Sequence, residues 1–207
     1  MKVGIFGGSF DPIHEGHVNL AKYVIEHTDI DEVWLMVSPL NPLKPQGYIA
    51  TDEQRLEMAR LAVDGIPYIR VSDFEFHLPI PSYTYKTLTE LHKTYPGIDF
   101  SLIIGGDNWA SFDRWRNPGE ILSQFGVIVY PRPGQSIESP KFKIGSAQAK
   151  ASQNSRFKIL SAAPQMPVSS TQIRQMIKSS PLKSDTSLED SLNPSVRSYI
   201  RSHHLYT

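Results

Sequence analysis

Short apolar runs alternate with segments whose apolar residues recur every three or four positions, and this alternation holds along most of the chain. Val3–Phe6 reads as a short buried strand. From Val18 the period changes, and Val18, Ala21, Val24 and Ile25 recur at helical spacing. Glu32–Ser38 is again a continuous apolar run. Strand, helix and strand make a βαβ unit and imply a parallel sheet. Thr51–Gln54 fits a capping box, so a helix is expected with Leu56, Ala59 and Val63 on one face, ending at Gly65. The segment 68–76 holds one or two strands, and 83–95 looks helical through Leu88, Leu91 and Tyr95. Further strands are expected at Phe100–Ile104, Gly126–Tyr130 and Phe157–Leu160. Asn117-Pro118 signals a helix start with Asn as N-cap, Ser169–Ile177 reads as a capped helix, and Asn193-Pro194 opens a last helix.

The expected architecture is a doubly wound, Rossmann-like, three-layer α/β sandwich with a mainly parallel sheet. One domain over 1–207 is expected, with an exposed linker over 131–155 and a small helical C-terminal part over 164–207. In such folds ligands sit at the carboxyl ends of the strands. That would gather Gly7–His17, Ser38–Lys44, Gly105–Asp107 and Arg132.

Composition narrows the chemistry. Lys and Arg together number 21, as do Asp and Glu, so no global charge draws the chain to nucleic acid or to an anionic membrane. The chain has no cysteine, which removes disulfides, thiolate metal sites and cysteine nucleophiles. No stretch approaches the length of a membrane span, and the N-terminal apolar run is too short for a signal peptide. A cytoplasmic location is the expectation.

Two segments carry candidate chemistry. In GIFGGSFDPIHEGH, the glycines Gly7 and Gly8 let backbone approach a ligand closely. Ser9 adds a hydroxyl, and His17 falls near the start of the following helix, where free N–H groups favour an anion. The alternative is a tight turn holding two exposed histidines. A zinc site is weaker, because His14 and His17 lack a third protein ligand. In VSSTQIRQMI, Ser169 and Gln172 match a capping box. The three hydroxyls of the first turn, with Arg174 one turn beyond Ser170, also suit a polyphosphate. There is no G-x-G-x-x-G after the first strand and no G-x-x-x-x-G-K-[ST], which argues against a dehydrogenase or a P-loop NTPase. Lys44 reads as a surface lysine. Trp109, Phe112 and Trp115 form a stripe that is more often core than ligand platform. Asp107 follows a strand and two glycines, either as a ribose or base acceptor or as a helix cap.

Together GGSFDPIHEGH and VSSTQIR resemble the two signatures of the nucleotidyltransferases with an H-x-G-H site. With SPLNPLKP, PSYTYKTL, IIGGDNWASFDRW and YPRPG in the same order, the chain is similar to the bacterial nicotinate-nucleotide adenylyltransferases over about Lys2 to Ile177. The resemblance implies adenylyl transfer from ATP to nicotinate mononucleotide, with Mg²⁺ carried on ATP. It implies that His14 and His17 contact the ATP phosphates, that Gly7, Gly8, Ser9 and Phe10 wrap the nucleotide, and that Ser169, Ser170 and Arg174 hold its β- and γ-phosphates. Gly105 and Asp107 would line the nucleoside pocket, Thr84 and Trp115 would hold the nicotinate ring, and Lys44 would contact a phosphate. Ser9 stands where threonine is common, Ile13 where proline is frequent and Val168 where isoleucine is, and none of these removes a needed polar group. Competing readings are transfer to nicotinamide mononucleotide or to both forms, a phosphopantetheine adenylyltransferase or cytidylyltransferase, and a nucleotide sensor without catalysis.

Overall fold

The computed structural model describes residues 1–39, 50–132, 157–164, 168–179 and 186–207. Lys44, most of the expected 131–155 linker and residues 180–185 lie outside the described residues.

Six strands form one sheet in the order β3-β2-β1-β4-β5-β6. They are β1 (Lys2–Gly8), β2 (Glu32–Val37), β3 (Ile69–Ser72), β4 (Asp99–Gly105), β5 (Gly126–Tyr130) and β6 (Phe157–Ile159). Every pairing is parallel. The helices are α1 (Glu15–His27), α2 (Asp52–Val63), α3 (Thr84–Thr94), α4 (Gly106–Ala110), α5 (Pro118–Gln124), α6 (Ser170–Ser179), α7 (Thr186–Ser191) and α8 (Pro194–Ser202).

Alternation within the strands divides the core. Val33, Leu35 and Val37 of β2 face one side, where they join Val18, Ala21 and Val24 of α1, Met58 and Ala59 of α2, and Val196 and Ile200 of α8. Trp34 and Met36 face the other side, with Leu88 and Leu91 of α3 and Ile121 and Leu122 of α5. The three layers follow from this period-2 split of strands that read as uniformly apolar in sequence. The strand order reverses between β1 and β4, which leaves a crevice at their carboxyl ends.

The structure adds local detail to these expectations. The 68–76 segment makes only the strand β3, followed by a 3₁₀ turn over Phe74–His77. α1 starts at Glu15, so His14 is its N-cap and His17 is in its first turn. Asn117 does precede α5, but its backbone is left-handed at φ 54° and its side chain makes no capping bond. Pro118 at the first helical position starts that helix instead. α7 is a short helix that the apolar pattern did not signal. The capping box on Thr51 forms in full: Thr51 Oγ1 accepts from Gln54 N–H at 3.3 Å and Gln54 Oε1 accepts from Thr51 N–H at 2.9 Å. Left-handed Gly65, at φ 77°, follows the end of α2.

Candidate active site

The loop between β1 and α1 passes from Gly7 to His14. A side chain at Gly7 would meet no atom within 4 Å, so its open face is available to a ligand. At Gly8 a β-carbon would meet the Phe10 ring at 2.9 Å, so glycine is needed for the loop to fold over itself. Phe10 is buried, with a left-handed backbone at φ 48°. A phenylalanine pays strain for that conformation, and the ring's packing edge-on to Phe6 offsets it.

His14 and His17 lie together at the N-terminus of α1, with ring centroids 3.8 Å apart. His17 Nδ1 accepts from His14 N–H at 3.2 Å. In the neutral ring this leaves the proton on Nε2, so His17 presents a donor away from the helix. Burial, and then the positive charge of Arg132, push His14 down to about 4. His17 is held well below its ordinary value by burial, then by His14 and Arg132. Both rings are therefore neutral N–H donors near pH 7, beside a helix N-terminus.

A stability slope follows. An unfolded His14 takes up a proton near pH 6.5, whereas the folded one resists it until about pH 4. The unfolded state binds more protons in that window, so stability is full above pH 6.5 and declines as pH falls toward 4. Urea midpoints measured at pH 7 and pH 5 should differ, and His14→Asn should flatten the difference.

Beneath the loop, the structure joins residues that are distant in sequence. Arg174 Nη1 donates to the Asp11 carbonyl at 2.6 Å, and Ser170 Oγ donates to the Pro12 carbonyl at 2.9 Å. Ser169 forms the cap of α6, its Oγ accepting from Gln172 N–H at 3.3 Å. The second cluster thus sits against the first loop, as the convergence required. Here the Ser169 and Ser170 hydroxyls serve the cap and the loop, because the first turn of α6 abuts loop carbonyls that need donors. Arg55, with no exposed side-chain surface, donates to the carbonyls of Ser9 at 2.5 Å and Ser38 at 2.9 Å and pairs with Asp52.

On the other side of the crevice, one cleft is lined by Gly7, Gly8, Thr84, Gly105, Trp115 and Arg132, among others. Thr84 opens α3. The aromatic stripe divides: Trp109 and Phe112 are buried in the core, while half-buried Trp115 leans on Phe112 with centroids 5.1 Å apart and reaches the cleft. The change from α4 to a 3₁₀ turn over Phe112–Arg114 breaks the helical phase and leaves Trp115 packed on the edge of the core, where it also lines the cleft. Arg132 Nε lies 3.3 Å from Asp107 Oδ1, and its Nη2 donates to Tyr130 Oη at 3.1 Å. A β-carbon at Gly105 would fall 2.5 Å from Asp107 Oδ1 and 2.7 Å from Arg132 Nε, so this pair occupies the space beside that glycine.

The chain matches the model of the family described as Cytidylyltransferase-like over residues 5–176. Among curated relatives, it is 37% identical over 206 residues to a Flavobacterium johnsoniae protein named "Probable nicotinate-nucleotide adenylyltransferase", covering 100% of this chain and 99% of the relative. The chain belongs to the nicotinate-nucleotide adenylyltransferase family. A Bacteroides fragilis member of the same name is 55% identical over 137 residues, 66% of this chain and 68% of that protein. In fold, the chain resembles Plasmodium falciparum nicotinic acid mononucleotide adenylyltransferase, solved in complex with NaAD, at a TM-score of 0.75. That likeness covers 99% of this chain and 97% of the other at 18% identity.

Against this family background, the structure assembles His14, His17, Gly7, Gly8, Ser9, Phe10, Ser169, Ser170 and Arg174 around one loop. It sets Thr84, Trp115, Gly105 and Asp107 at or beside the adjoining cleft. Sequence reasoning passed over Arg55, the carboxylate of Asp11 and Tyr206, all buried under the loop. Arg55 carried one legible signal: it lies four residues before Ala59 and seven before Ala62, in phase with the apolar face of α2.

Proposed function

We propose that this chain transfers the adenylyl group of ATP to nicotinate mononucleotide, giving deamido-NAD and pyrophosphate, in the cytoplasm. The observation that carries the reading is the crevice between β1 and β4, with the paired histidines and the glycine loop on one side and Thr84 and Trp115 on the other. A triphosphate and a flat heterocycle on a second phosphate fit those two halves.

A phosphate oxygen of the mononucleotide attacks the α-phosphorus of ATP, and the bond from that phosphorus to the bridging oxygen breaks. Pyrophosphate leaves with the electron pair. No proton need be removed from an already ionised phosphate, so positioning and charge stabilisation carry the catalysis. The loop from Gly7 to Phe10 approaches the nucleotide through backbone, and His14 and His17 donate to phosphate oxygens. Arg174 and Arg132 supply positive charge behind the loop and at the mouth of the cleft. Gly105 and Asp107 line the nucleoside side, Ser169 and Ser170 support the phosphate end, and Lys44 is a further phosphate contact.

Magnesium fits as a companion of ATP. Among the described residues no three His, Asp or Glu side chains could hold an ion, and the carboxylate of Asp107 already faces Arg132. Phosphate and water oxygens suit Mg²⁺, and its chemistry there is to neutralise the triphosphate.

Glu75 also lines the cleft, its carboxylate accepting from Thr87 Oγ1 at 2.8 Å. A carboxylate there favours an amide over an acid, so use of nicotinamide mononucleotide is the second reading. Pyrophosphate release measured side by side with the acid and amide mononucleotides separates them. Faster turnover of the amide would overturn the first reading, and no release with either would leave a binding protein.

Trp115→Ala should weaken mononucleotide binding more than ATP binding, because the ring reaches the cleft and not the histidine loop. Calorimetric titration of each ligand checks this, and equal losses would make Trp115 a packing residue alone.

A further inference from the structure

The acid in the glycine loop is fully enclosed. Asp11 is 1% exposed. Its Oδ1 accepts from Tyr206 Oη at 2.7 Å and from Ala50 N–H at 3.3 Å, while Oδ2 lies 3.7 Å from Arg174 Nη1. Three carbonyls of the same loop are also held from behind: Ser9 by Arg55, Asp11 by Arg174 and Pro12 by Ser170. The loop's shape is therefore set by donors beneath it, and Tyr206 is the one that comes from the far end of the chain.

Tyr206 is placed with care. The residue is 4% exposed, and its backbone is left-handed at φ 65°. A tyrosine holds that conformation only where the surroundings over-determine it. Leu205 N–H donates to the Ile200 carbonyl at 3.0 Å, and the Leu205 side chain is buried, which anchors the segment after α8. Burial and the nearby charge of Asp11 raise the phenol's pKa, so it remains an O–H donor across the working pH range.

We propose that Tyr206 is a positioning residue for the polyphosphate loop: its hydroxyl holds Asp11 and, through Asp11 and Arg174, keeps the Ser9–Ile13 backbone in its ligand-binding shape. This rests on the reading of the loop as the ATP site. It makes the segment after α8 part of the nucleotide site without any contact to the nucleotide.

Tyr206→Phe keeps the ring and removes only the donor. Affinity for a non-hydrolysable ATP analogue, read by calorimetry, should fall on the order of tenfold, the size of one lost hydrogen bond to a charged group. Affinity for nicotinate mononucleotide should stay within about twofold, since an effect of about 0.4 kcal/mol is the most expected at a cleft the tether does not touch. Leu205→Ala loosens the segment that carries the phenol but keeps the donor, so it should lower thermal stability while costing no more ATP affinity than Tyr206→Phe does. An ATP affinity unchanged in Tyr206→Phe, or equal losses for both ligands, would overturn the inference. The wild-type transfer assay judges the proposed reaction separately: analogue binding without transfer to the mononucleotide sinks that reaction and leaves the tether measurable.

Discussion

Replacing His17 with alanine lowers turnover by roughly 10²–10³-fold, the usual cost of removing one donor that meets charge developing in a transition state. The imidazole is neutral before substrate arrives, and its Nδ1 is occupied by His14 N–H. The donor it offers is therefore Nε2–H, held at the start of α1 where the helix dipole adds to its effect. A second consequence must be separated from this one. Alanine also removes the acceptor for His14 N–H, which costs helix stability of about 1 kcal/mol, as other lost caps do. His17→Gln resolves the two, because glutamine in the first turn of a helix can accept from the cap residue's N–H. If Gln restores both stability and rate, His17 serves as a cap. If Gln restores stability while the rate stays low, the ring's Nε2–H acts on the phosphates, and that is the expected result.

Replacing Arg55 with alanine destabilises the fold by about 3–5 kcal/mol, the range seen when one member of a buried, bonded charge cluster is deleted. Arg55 ties three segments together: the glycine loop through the Ser9 carbonyl, the end of β2 through the Ser38 carbonyl, and the first turn of α2 through Asp52. Its loss strands two part-buried carbonyls and leaves a cavity under the loop. In a chain of 207 residues this corresponds to a fall in melting temperature of roughly 10 °C. Thermal unfolding followed by circular dichroism measures it. A change of only a degree or two would mean that water replaces the guanidinium without loss.

The two substitutions touch the same loop from opposite sides, and they were not equally legible. His17 stands out because histidine, glycine and histidine at that spacing follow an apolar run and precede a helical period. Arg55 looks like an ordinary charged residue in the first turn of a capped helix. Its burial depends on α2 crossing behind the β1–α1 loop, which is a property of topology. Asp11 is similar. In Asp-Pro it reads as a turn residue, and only packing against Ala50, α6 and the segment after α8 encloses its carboxylate. Trp115 fell between these cases. The spacing of Trp109, Phe112 and Trp115 favoured one buried face, and the switch to a 3₁₀ turn broke the phase and brought the last ring to the cleft.

By itself, the sequence determined the order and type of nearly all elements, because apolar period and capping residues act over a few positions. It also determined the two signature motifs and the family, because those are local strings in a set order. Tertiary structure alone decided which donors face the crevice and which are taken up inside the protein. Ser170, Arg174 and Tyr206 are separated from Asp11 or Pro12 by more than 150 residues. Contacts across such separations are set by how helices pack on the two faces of the sheet, and no short-range pattern encodes that packing.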